Sequence, residues 1–328
     1  MAYRGGDASE RDRLVAADMT QPVLFTGFNR PETTARVFDA VRSYRPLALF
    51  VALDGPRPDR PGEDDRCSAV RAIVHEINWP CNVEYLLHEE NLGCRRAMTE
   101  AIDWFFDQVE EGIILEDDCL PSPGFFDFAE ALLDRYRTDE RVWMICGTNV
   151  LRRWRPTEAS YHFAPYGAVS GWASWRRAWQ HADTGLASLD SQSRVAEARR
   201  SWGEARWDAV HPQLLGVVEG RIDTWDYGWH FTYASHGGLA AFPAENLVTN
   251  IGYGPDATHT KRGRDRLARL PAGRLDAPLI HPATVEPDLD YDRNYLAVDR
   301  PSGLLRARAR LDRVLPDTVQ TSLRRLLG

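Results

Sequence analysis

The stretch ILEDDCLPSPGFFDF (residues 114–128) places three consecutive carboxylates, Glu116, Asp117 and Asp118, at the end of a short apolar run. Residues 112–115, the apolar run itself, have the composition of a buried strand. Negative charge massed where a buried strand emerges is unfavourable unless a cation balances it. The sequence therefore indicates that a positive group lies at this strand end, beside what we call the carboxylate triplet.

Short apolar runs alternate with longer helical patterns on both sides of this stretch. Strands are predicted at 22–28, 47–53, 82–88, 112–118 and 142–147, and helices at 31–44, 64–79, 91–109 and 125–137. This alternation predicts an α/β fold with a mostly parallel sheet and helices on both faces. Beyond about residue 150, the segments 167–182, 193–220 and 224–238 are aromatic and mainly helical in pattern, so we expect a helical lobe over the carboxyl edge of the sheet.

Polar residues follow three of the predicted strands. Asn29 and Arg30 come after the first strand, Asp54 after the second, and the carboxylate triplet after the fourth. Ligands of open α/β sheets bind outside the carboxyl ends of the strands. The sequence therefore predicts one site built from these three strand ends.

Composition narrows the class of protein. Hydrophobic residues make up 43% and charged residues 27% of the chain, which is typical of a globular protein. A net charge of −8 argues against general nucleic-acid binding. The 5 cysteines, an odd number without paired spacing, favour reduced thiols, and the first 20 residues carry no apolar run. We therefore expect a cytoplasmic protein.

Carboxylate oxygens of the triplet are hard ligands that suit Mg²⁺ or Mn²⁺. Such an ion is usually shared with substrate phosphates, which predicts a nucleoside diphosphate compound as substrate. A solvated acidic turn is the alternative for the triplet alone. The apolar residues 112–115 favour the metal site, because they place the triplet at the edge of a buried sheet.

The order of four segments resembles the nucleotide-sugar-binding half of GT-A fold (Rossmann-like) glycosyltransferases, and within that fold the N-acetylglucosaminyltransferase I group and bacterial family 2-like proteins. These segments are PVLFTGFNRPETT (22–34), LFVALDGPR (49–57), EENLGCRRAM (89–98) and GIILEDDCLPSPGFFDF (112–128). The resemblance covers roughly residues 20–260 and implies an inverting, metal-dependent transferase that uses a nucleoside diphosphate sugar, with a UDP-sugar favoured.

The resemblance also implies roles for individual residues. Asp118 would bind the metal directly, while Glu116 and Asp117 would hold the ribose and support the metal site. Asp54 would accept a hydrogen bond from the base, although a turn-capping role before Gly55 is its alternative. The remaining donor-side residues would flank the nucleotide or open the third helix, whose amides favour negative charge; they are Asn29, Arg30, Asn91, Gly93 and Arg95, with Arg96 as the alternative to Arg95.

A transferase of the inverting type needs a general base for the acceptor hydroxyl. Asp226 in TWDYGWHF (224–231) is the candidate, because this segment resembles the Trp-Asp motif that supplies the base in the N-acetylglucosaminyltransferase I group. Asp223 is the rival, with helix capping as its alternative role. Gly171 and Trp172 are contact candidates beside the donor sugar, and Trp172 could equally belong to the core.

Late in the chain, NIGYGPDATHT (250–260) predicts a flexible lid over the diphosphate. His259 within it is a candidate for the metal or pyrophosphate shell. The resemblance divides the chain into four parts, which are an N-terminal extension (1–20), the nucleotide-sugar-binding half (21–150), the acceptor half (151–262) and a tail (263–328).

The end of the tail, LLRARARLDRVL (304–315), has the pattern of a basic amphipathic helix. Contact with an anionic membrane surface is one interpretation, which suits a lipid-linked or glycan acceptor in bacterial polysaccharide biosynthesis, and packing on the protein's own surface is the other. Two further classes compete with the transferase: a sugar nucleotidyltransferase, which normally carries a glycine-rich loop that GFNRPETT lacks, and a non-catalytic nucleotide-sugar-binding module.

Overall fold

The computed structural model of the 328-residue chain describes residues 20–155, 157–252 and 270–299. The chain divides into two compact units, Met1–Asp288 and Leu289–Gly328.

The strands of the described residues are β1 (Val23–Gly27), β2 (Ala48–Leu53), β3 (Asn82–Leu87), β4 (Glu111–Glu116), β5 (Cys119–Pro121), β6 (Val142–Cys146), β7 (Tyr161–Ala164), β8 (Trp172–Trp175), β9 (Leu239–Pro243) and β10 (Val248–Asn250). The helices are α1 (Pro31–Tyr44), α2 (Glu63–His75), α3 (Cys94–Gln108), α4 (Pro123–Arg135), α5 (Arg176–Trp179), α6 (Gln192–Trp202), α7 (Glu204–Val218), α8 (Asp226–Ala234) and, in the second unit, α9 (Leu289–Asp299).

Eight strands form one central sheet in the order β3-β2-β1-β4-β8-β6-β9-β7. Strands β3, β2, β1 and β4 pair in parallel, β8 runs antiparallel to both β4 and β6, and β9 is parallel to β6. Only β7 and β8 therefore run against the common direction. The fold class that the sequence predicted, a mostly parallel Rossmann-like α/β sheet, is confirmed.

Alternating side chains of the central strands bury both faces of the sheet. Phe25 on β1 contacts Phe38 of α1 edge to face, with ring centroids 5.5 Å apart. Its strand neighbour Leu24 shares a face with Phe50 of β2, which packs on Phe105 of α3 at 5.1 Å. Because α1 and α3 cover opposite faces, the strands are apolar on both sides, as in other sheets with helices on each face.

The second half of the chain differs from its predicted helical character. Residues 172–175, predicted as part of a helical segment, form the buried strand β8 between β4 and β6. Strands β7 and β9 extend the same sheet. Strand β8 was hidden because its residues run directly into the helical pattern of Arg176–Trp179.

The helical lobe that the sequence predicted consists of α6, α7 and α8, which pack on one another. The predicted segment 193–220 is broken at Gly203 into α6 and α7. A cluster of buried tryptophans attaches this lobe to the sheet: Trp225, directly before α8, stacks on Trp172 of β8 with ring centroids 5.6 Å apart. Trp229 of α8 lies 5.0 Å from Trp179 of α5.

Residues 270–288 of the predicted tail belong to the first unit and hydrogen-bond to other parts of it. The Ser160 backbone N–H donates to the Ile280 carbonyl at 2.8 Å, and Asp288 donates to the Phe163 carbonyl at the same distance. The predicted basic helix at 304–315 lies outside the described residues. Within the described ranges, no helix combines the length and apolar character needed to cross a bilayer.

Candidate active site

A cavity of about 390 Å³ opens at the carboxyl ends of β1, β2 and β4. Its walls combine the three strand ends with the start of α3 and the segment that leads into α8. The predicted site residues that line it are Arg30, Asp54, Asn91, Gly93, Glu116, Asp117, Asp118 and Asp226. Asn29, Arg95, Gly171 and Trp172 do not line it.

Arg30 provides a positive charge beside the carboxylate triplet. Its Nη2 donates to Asp117 Oδ1 at 2.6 Å, and its Nη1 donates to Asp118 Oδ2 at 2.9 Å. Burial opposes the charged form of Arg30, but the charges of Asp117 and Asp118 outweigh it and raise the pKa of the guanidinium. One guanidinium therefore bridges two adjacent carboxylates.

The triplet carries more negative charge than Arg30 neutralises. Burial, with the charges of Asp118 and Asp117, raises the pKa of Glu116 to about 8, and the charge of Asp226 adds to this. Burial also raises the pKa of Asp117, to about 6, against the opposing effect of Arg30. Burial and the mutual repulsion of the three carboxylates thus oppose the ionisation of Glu116 and Asp117.

Asp117 is used within the protein. Its side chain is only 2% exposed. Besides Arg30, it accepts a hydrogen bond from the Phe28 N–H at 3.2 Å, which ties the end of β4 to the β1–α1 connection. Asp117 therefore positions Arg30 and the β1–α1 connection, and it also lines the cavity.

Asp54 caps a turn and joins two strand ends. Its Oδ1 accepts from the N–H groups of Gly55 and Leu92, both at 2.9 Å, and its Oδ2 accepts from the Asn91 side-chain amide at 2.7 Å. Burial raises the pKa of Asp54, although these backbone donors oppose the shift. The turn-capping alternative is therefore present in the structure, and Asp54 also lines the cavity.

Asp223 occupies the start of α3. Its Oδ2 accepts from the Cys94 N–H at 2.8 Å and its Oδ1 from the Arg95 N–H at 3.2 Å. Gly93 makes room for this contact, since a Cβ there would lie 2.7 Å from Asp223 Oδ2, and its φ of +82° suits glycine. The expectation that these amides receive the donor's negative charge needs correction, because a carboxylate of the protein already accepts their hydrogen bonds.

Replacing Asp223 with alanine should lower the free energy of unfolding by about 1 kcal/mol, comparable to the loss of a side chain that caps a helix N-terminus. Denaturant unfolding would measure this. Asp208→Ala, an exposed carboxylate on α7, is the matched control and should change stability little. Equal stabilities of both variants would contradict the capping role.

Glu63 at the start of α2 is a residue that the sequence analysis missed. It accepts hydrogen bonds from the Arg57 backbone N–H at 2.7 Å, from Arg57 Nε at 3.0 Å and from the Asn29 amide at 2.7 Å. Asn29 is thereby held beside the cavity wall and does not line it. No local pattern signals this contact, because it joins the ends of β1 and β2 through a loop.

Hydrogen bonds from Arg57 lower the pKa of Glu63 from 4.5 to about 2. The ionised carboxylate therefore stabilises the fold above about pH 4.5, and the contribution is lost as the pH falls toward 2. The difference in unfolding free energy between wild type and Glu63→Gln should be largest above pH 4.5 and shrink at lower pH. Asp59→Asn, on the same loop and 78% exposed, should show little difference at any pH; a pH-independent Glu63→Gln difference would contradict the account.

Asp226 enters the cavity from the helical lobe, at the first residue of α8. Thr224 Oγ1 donates to its Oδ1 at 2.5 Å. The neighbouring Trp225 is 2% exposed and fixed in the tryptophan cluster, so the segment before the helix is held rigidly. Carboxylates are favoured in the first turn of a helix, where they interact with its dipole. Asp226 is thus held at the cavity wall across from the triplet.

Gly171 and Trp172 act on the site indirectly. Trp172 is fully buried, and its ring stacks on Trp225 next to Asp226. The Gly171 carbonyl accepts from the Gly147 N–H at 2.7 Å inside the sheet. Neither residue lines the cavity, so the predicted contact with a donor sugar is not seen. Trp172 belongs to the core instead.

His259 lies outside the described residues. The segment that leads toward it does contact the triplet, because the Ile251 N–H donates to the Asp118 carbonyl at 2.7 Å and β10 pairs with β5. Gly252 lies against the Arg30–Asp118 pair: a Cβ on Gly252 would come 2.6 Å from Arg30 Nη1 and would meet Asp118 Oδ2. A side chain at position 252 would therefore displace the Arg30 guanidinium or the Asp118 carboxylate.

The donor set at this strand end suits a hard divalent ion shared with a substrate. Asp118 is 14% exposed and turned toward the cavity, and Glu116 stands beside it. In the parts of the chain that the structure describes, no group of three or more histidine, cysteine or acidic side chains forms a protein-only metal cage. Asp118 and Glu116 offer hard carboxylate oxygens, the ligand type that Mg²⁺ and Mn²⁺ prefer.

No protein-family model matches the chain, and no curated protein matches it in sequence. Three solved structures are similar to parts of it. HddC from Yersinia pseudotuberculosis has 11% identity, a TM-score of 0.31, and covers 48% of this chain and 77% of its own. UDP-glucose pyrophosphorylase complexed with UDP-glucose has 8% identity and a TM-score of 0.34, and the match covers 71% of this chain and 93% of the pyrophosphorylase chain. Mouse xyloside xylosyltransferase 1 in its apo form has 10% identity and a TM-score of 0.35, and the match covers 66% of this chain and 81% of the xylosyltransferase chain. These likenesses are too weak to carry a function to this chain.

Proposed function

We propose that the protein is an inverting glycosyltransferase that moves a sugar from a nucleoside diphosphate sugar, a UDP-sugar by preference, to a hydroxyl acceptor. One observation supports this most: the triplet at the end of β4 and Asp226 from the helical lobe face one cavity at the carboxyl edge of the sheet. The end of the cavity with the triplet would hold the diphosphate, and the end with Asp226 would provide the general base. A glycan or lipid-linked acceptor would approach from the Asp226 end.

On the donor side, Asp54 and Asn91 lie at one wall of the cavity and offer polar groups to a nucleobase. Arg30 supplies the positive charge nearest the triplet, and guanidinium groups suit phosphate oxygens. A divalent ion at Asp118, when bound, would hold the diphosphate and stabilise the charge that develops on the leaving group.

On the acceptor side, Asp226 takes the proton from the attacking hydroxyl. Thr224 holds Oδ1, which orients the carboxylate and leaves Oδ2 for the acceptor. In a single displacement the base and the leaving diphosphate stand on opposite sides of the sugar. Trp172 and Trp225 keep Asp226 in place across from the triplet.

The β1–α1 connection disfavours a sugar nucleotidyltransferase. Strand β1 ends at Gly27 and α1 begins at Pro31, so that only Phe28, Asn29 and Arg30 join them. A glycine-rich phosphate loop does not fit in three such residues. The site instead offers a charged side chain at this position.

A product assay separates the two enzyme classes. The full chain is incubated with Mn²⁺ and a panel of UDP-, GDP- and dTDP-sugars, and released nucleoside diphosphate is measured, with water or a hydroxyl acceptor as the second substrate. We expect one nucleoside diphosphate to be released. Formation of pyrophosphate from a nucleoside triphosphate and a sugar phosphate, without diphosphate release from any donor, would contradict the proposal.

A further inference from the structure

Arg30 contacts a side-chain oxygen of Asp118, the residue proposed to bind the divalent ion. Its Nη1 lies 2.9 Å from Asp118 Oδ2, while Nη2 lies 2.6 Å from Asp117 Oδ1. The Arg30 side chain is 22% exposed and Asp117 is 2% exposed, so the contact is shielded from water on the Asp117 side. A shielded ion pair is screened far less than one on the surface.

The backbone of Arg30 is fixed, whereas its side chain is long. Arg30 is the N-cap residue of α1, and its carbonyl accepts hydrogen bonds from the Thr34 N–H at 3.0 Å and from Thr33 Oγ1 at 3.2 Å. Pro31 follows at the first helical position. The guanidinium can therefore leave Asp118 by side-chain rotation alone, without movement of the β1–α1 connection.

Gly252 leaves little space around the pair. A Cβ at this position would lie 2.6 Å from Arg30 Nη1 and would also meet Asp118 Oδ2. A divalent ion at Oδ2 would thus meet the guanidinium at close range, and two positive charges a few ångströms apart repel strongly in a poorly hydrated site. Ion and guanidinium exclude each other at this oxygen.

We infer that Arg30 is the resident counter-cation of Asp118 and competes with the divalent ion, so that the ion binds Asp118 only when the guanidinium moves away. The group that draws it away is the diphosphate of the ligand, whose oxygens accept from a guanidinium as carboxylates do. This second part rests on the proposed function, whereas the competition itself does not. Metal and diphosphate then bind together, and each favours the other.

The test uses Mn²⁺ alone on the full chain, with binding followed by calorimetry or by the paramagnetic signal of free Mn²⁺. Arg30→Met should bind Mn²⁺ at least about tenfold more tightly than wild type, because Asp118 loses its competitor. Arg36→Met removes one charge from the exposed side of α1 and should leave Mn²⁺ affinity unchanged. UDP without metal should bind Arg30→Met more weakly than wild type.

Arg30→Met leaves Asp117 buried without its charged partner, so folding is checked by circular dichroism. Arg30→Lys keeps the charge, but a single ammonium does not match the fork that bridges both carboxylates. Arg30→Lys should bind Mn²⁺ more tightly than wild type, but with a smaller gain than Arg30→Met. If Arg30→Met fails to fold, the Mn²⁺ affinity of Arg30→Lys tests the competition. Mn²⁺ affinities of folded Arg30 variants no higher than that of wild type would overturn the inference. The Mn²⁺ measurement needs neither nucleotide nor turnover, so the absence of nucleotide-sugar binding would count against the proposed function alone.

Discussion

Replacing Asp226 with asparagine should lower turnover by roughly 10² to 10⁴, the usual effect of losing a general base, while donor affinity stays within a few-fold of wild type. Asparagine keeps the size of the side chain and can still accept the hydrogen bond from Thr224. The loss therefore falls on the proton-accepting group and not on the position of α8. Single-turnover release of nucleoside diphosphate, with donor affinity measured separately, gives both quantities.

Asp223→Asn is the matched comparison for this experiment. Asp223 lies three residues earlier and also lines the cavity, but both of its oxygens accept from the first amides of α3. We expect the Asp223 variant to lose stability and to keep most of its turnover. Normal turnover of Asp226→Asn together with a large loss in Asp223→Asn would show that the base is Asp223.

Replacing Asp118 with asparagine should abolish the Mn²⁺ dependence of donor binding, with a loss of donor affinity of at least roughly 100-fold in the presence of Mn²⁺. Even residues that merely support a metal ligand account for about 10- to 100-fold of metal affinity. The fold should persist, because Arg30 keeps its contact with Asp117. Calorimetric titration of the donor with and without Mn²⁺ measures the effect.

Asp127→Asn provides the control for Asp118→Asn, because Asp127 is an exposed carboxylate of α4 in the same stretch of sequence. It should bind the donor like wild type. The metal assignment would be contradicted if Mn²⁺ did not change the donor affinity of the wild type and Asp118→Asn bound the donor equally well. Arg30 would then be the cation of the site.

The first half of the fold follows from local pattern. Strands β1 to β4 and helices α1 to α4 each carry their own periodicity, and polar residues at the strand ends indicated where the cavity lies. In the second half, β8 was missed because Trp172 and Trp175 sit directly before the helical pattern of Arg176–Trp179. Its strand conformation is set by β4 and β6 on either side, which no local window contains.

The same limit applies to the site. Asp118 and Asp226, which both line the cavity, could be predicted because each stands in a recognisable short stretch. The contact of Arg30 with Asp118 joins residues 88 positions apart, and that of Asp223 with Cys94 joins residues 129 positions apart. Both depend on how the chain returns to the sheet edge, so the sequence named the residues but not their partners.

The central claim is that this cavity binds a nucleoside diphosphate sugar, and thermal unfolding of the full chain tests it most directly. UDP-, GDP- and dTDP-sugars are compared with the matching nucleoside monophosphates and free sugars, with and without Mn²⁺, in wild type and Asp118→Asn. At a ligand concentration near 100 times its dissociation constant, one diphosphate sugar with Mn²⁺ should raise the wild-type Tm by about 5 °C and leave Asp118→Asn nearly unchanged. No rise in the wild-type Tm with any nucleoside diphosphate sugar would contradict the claim.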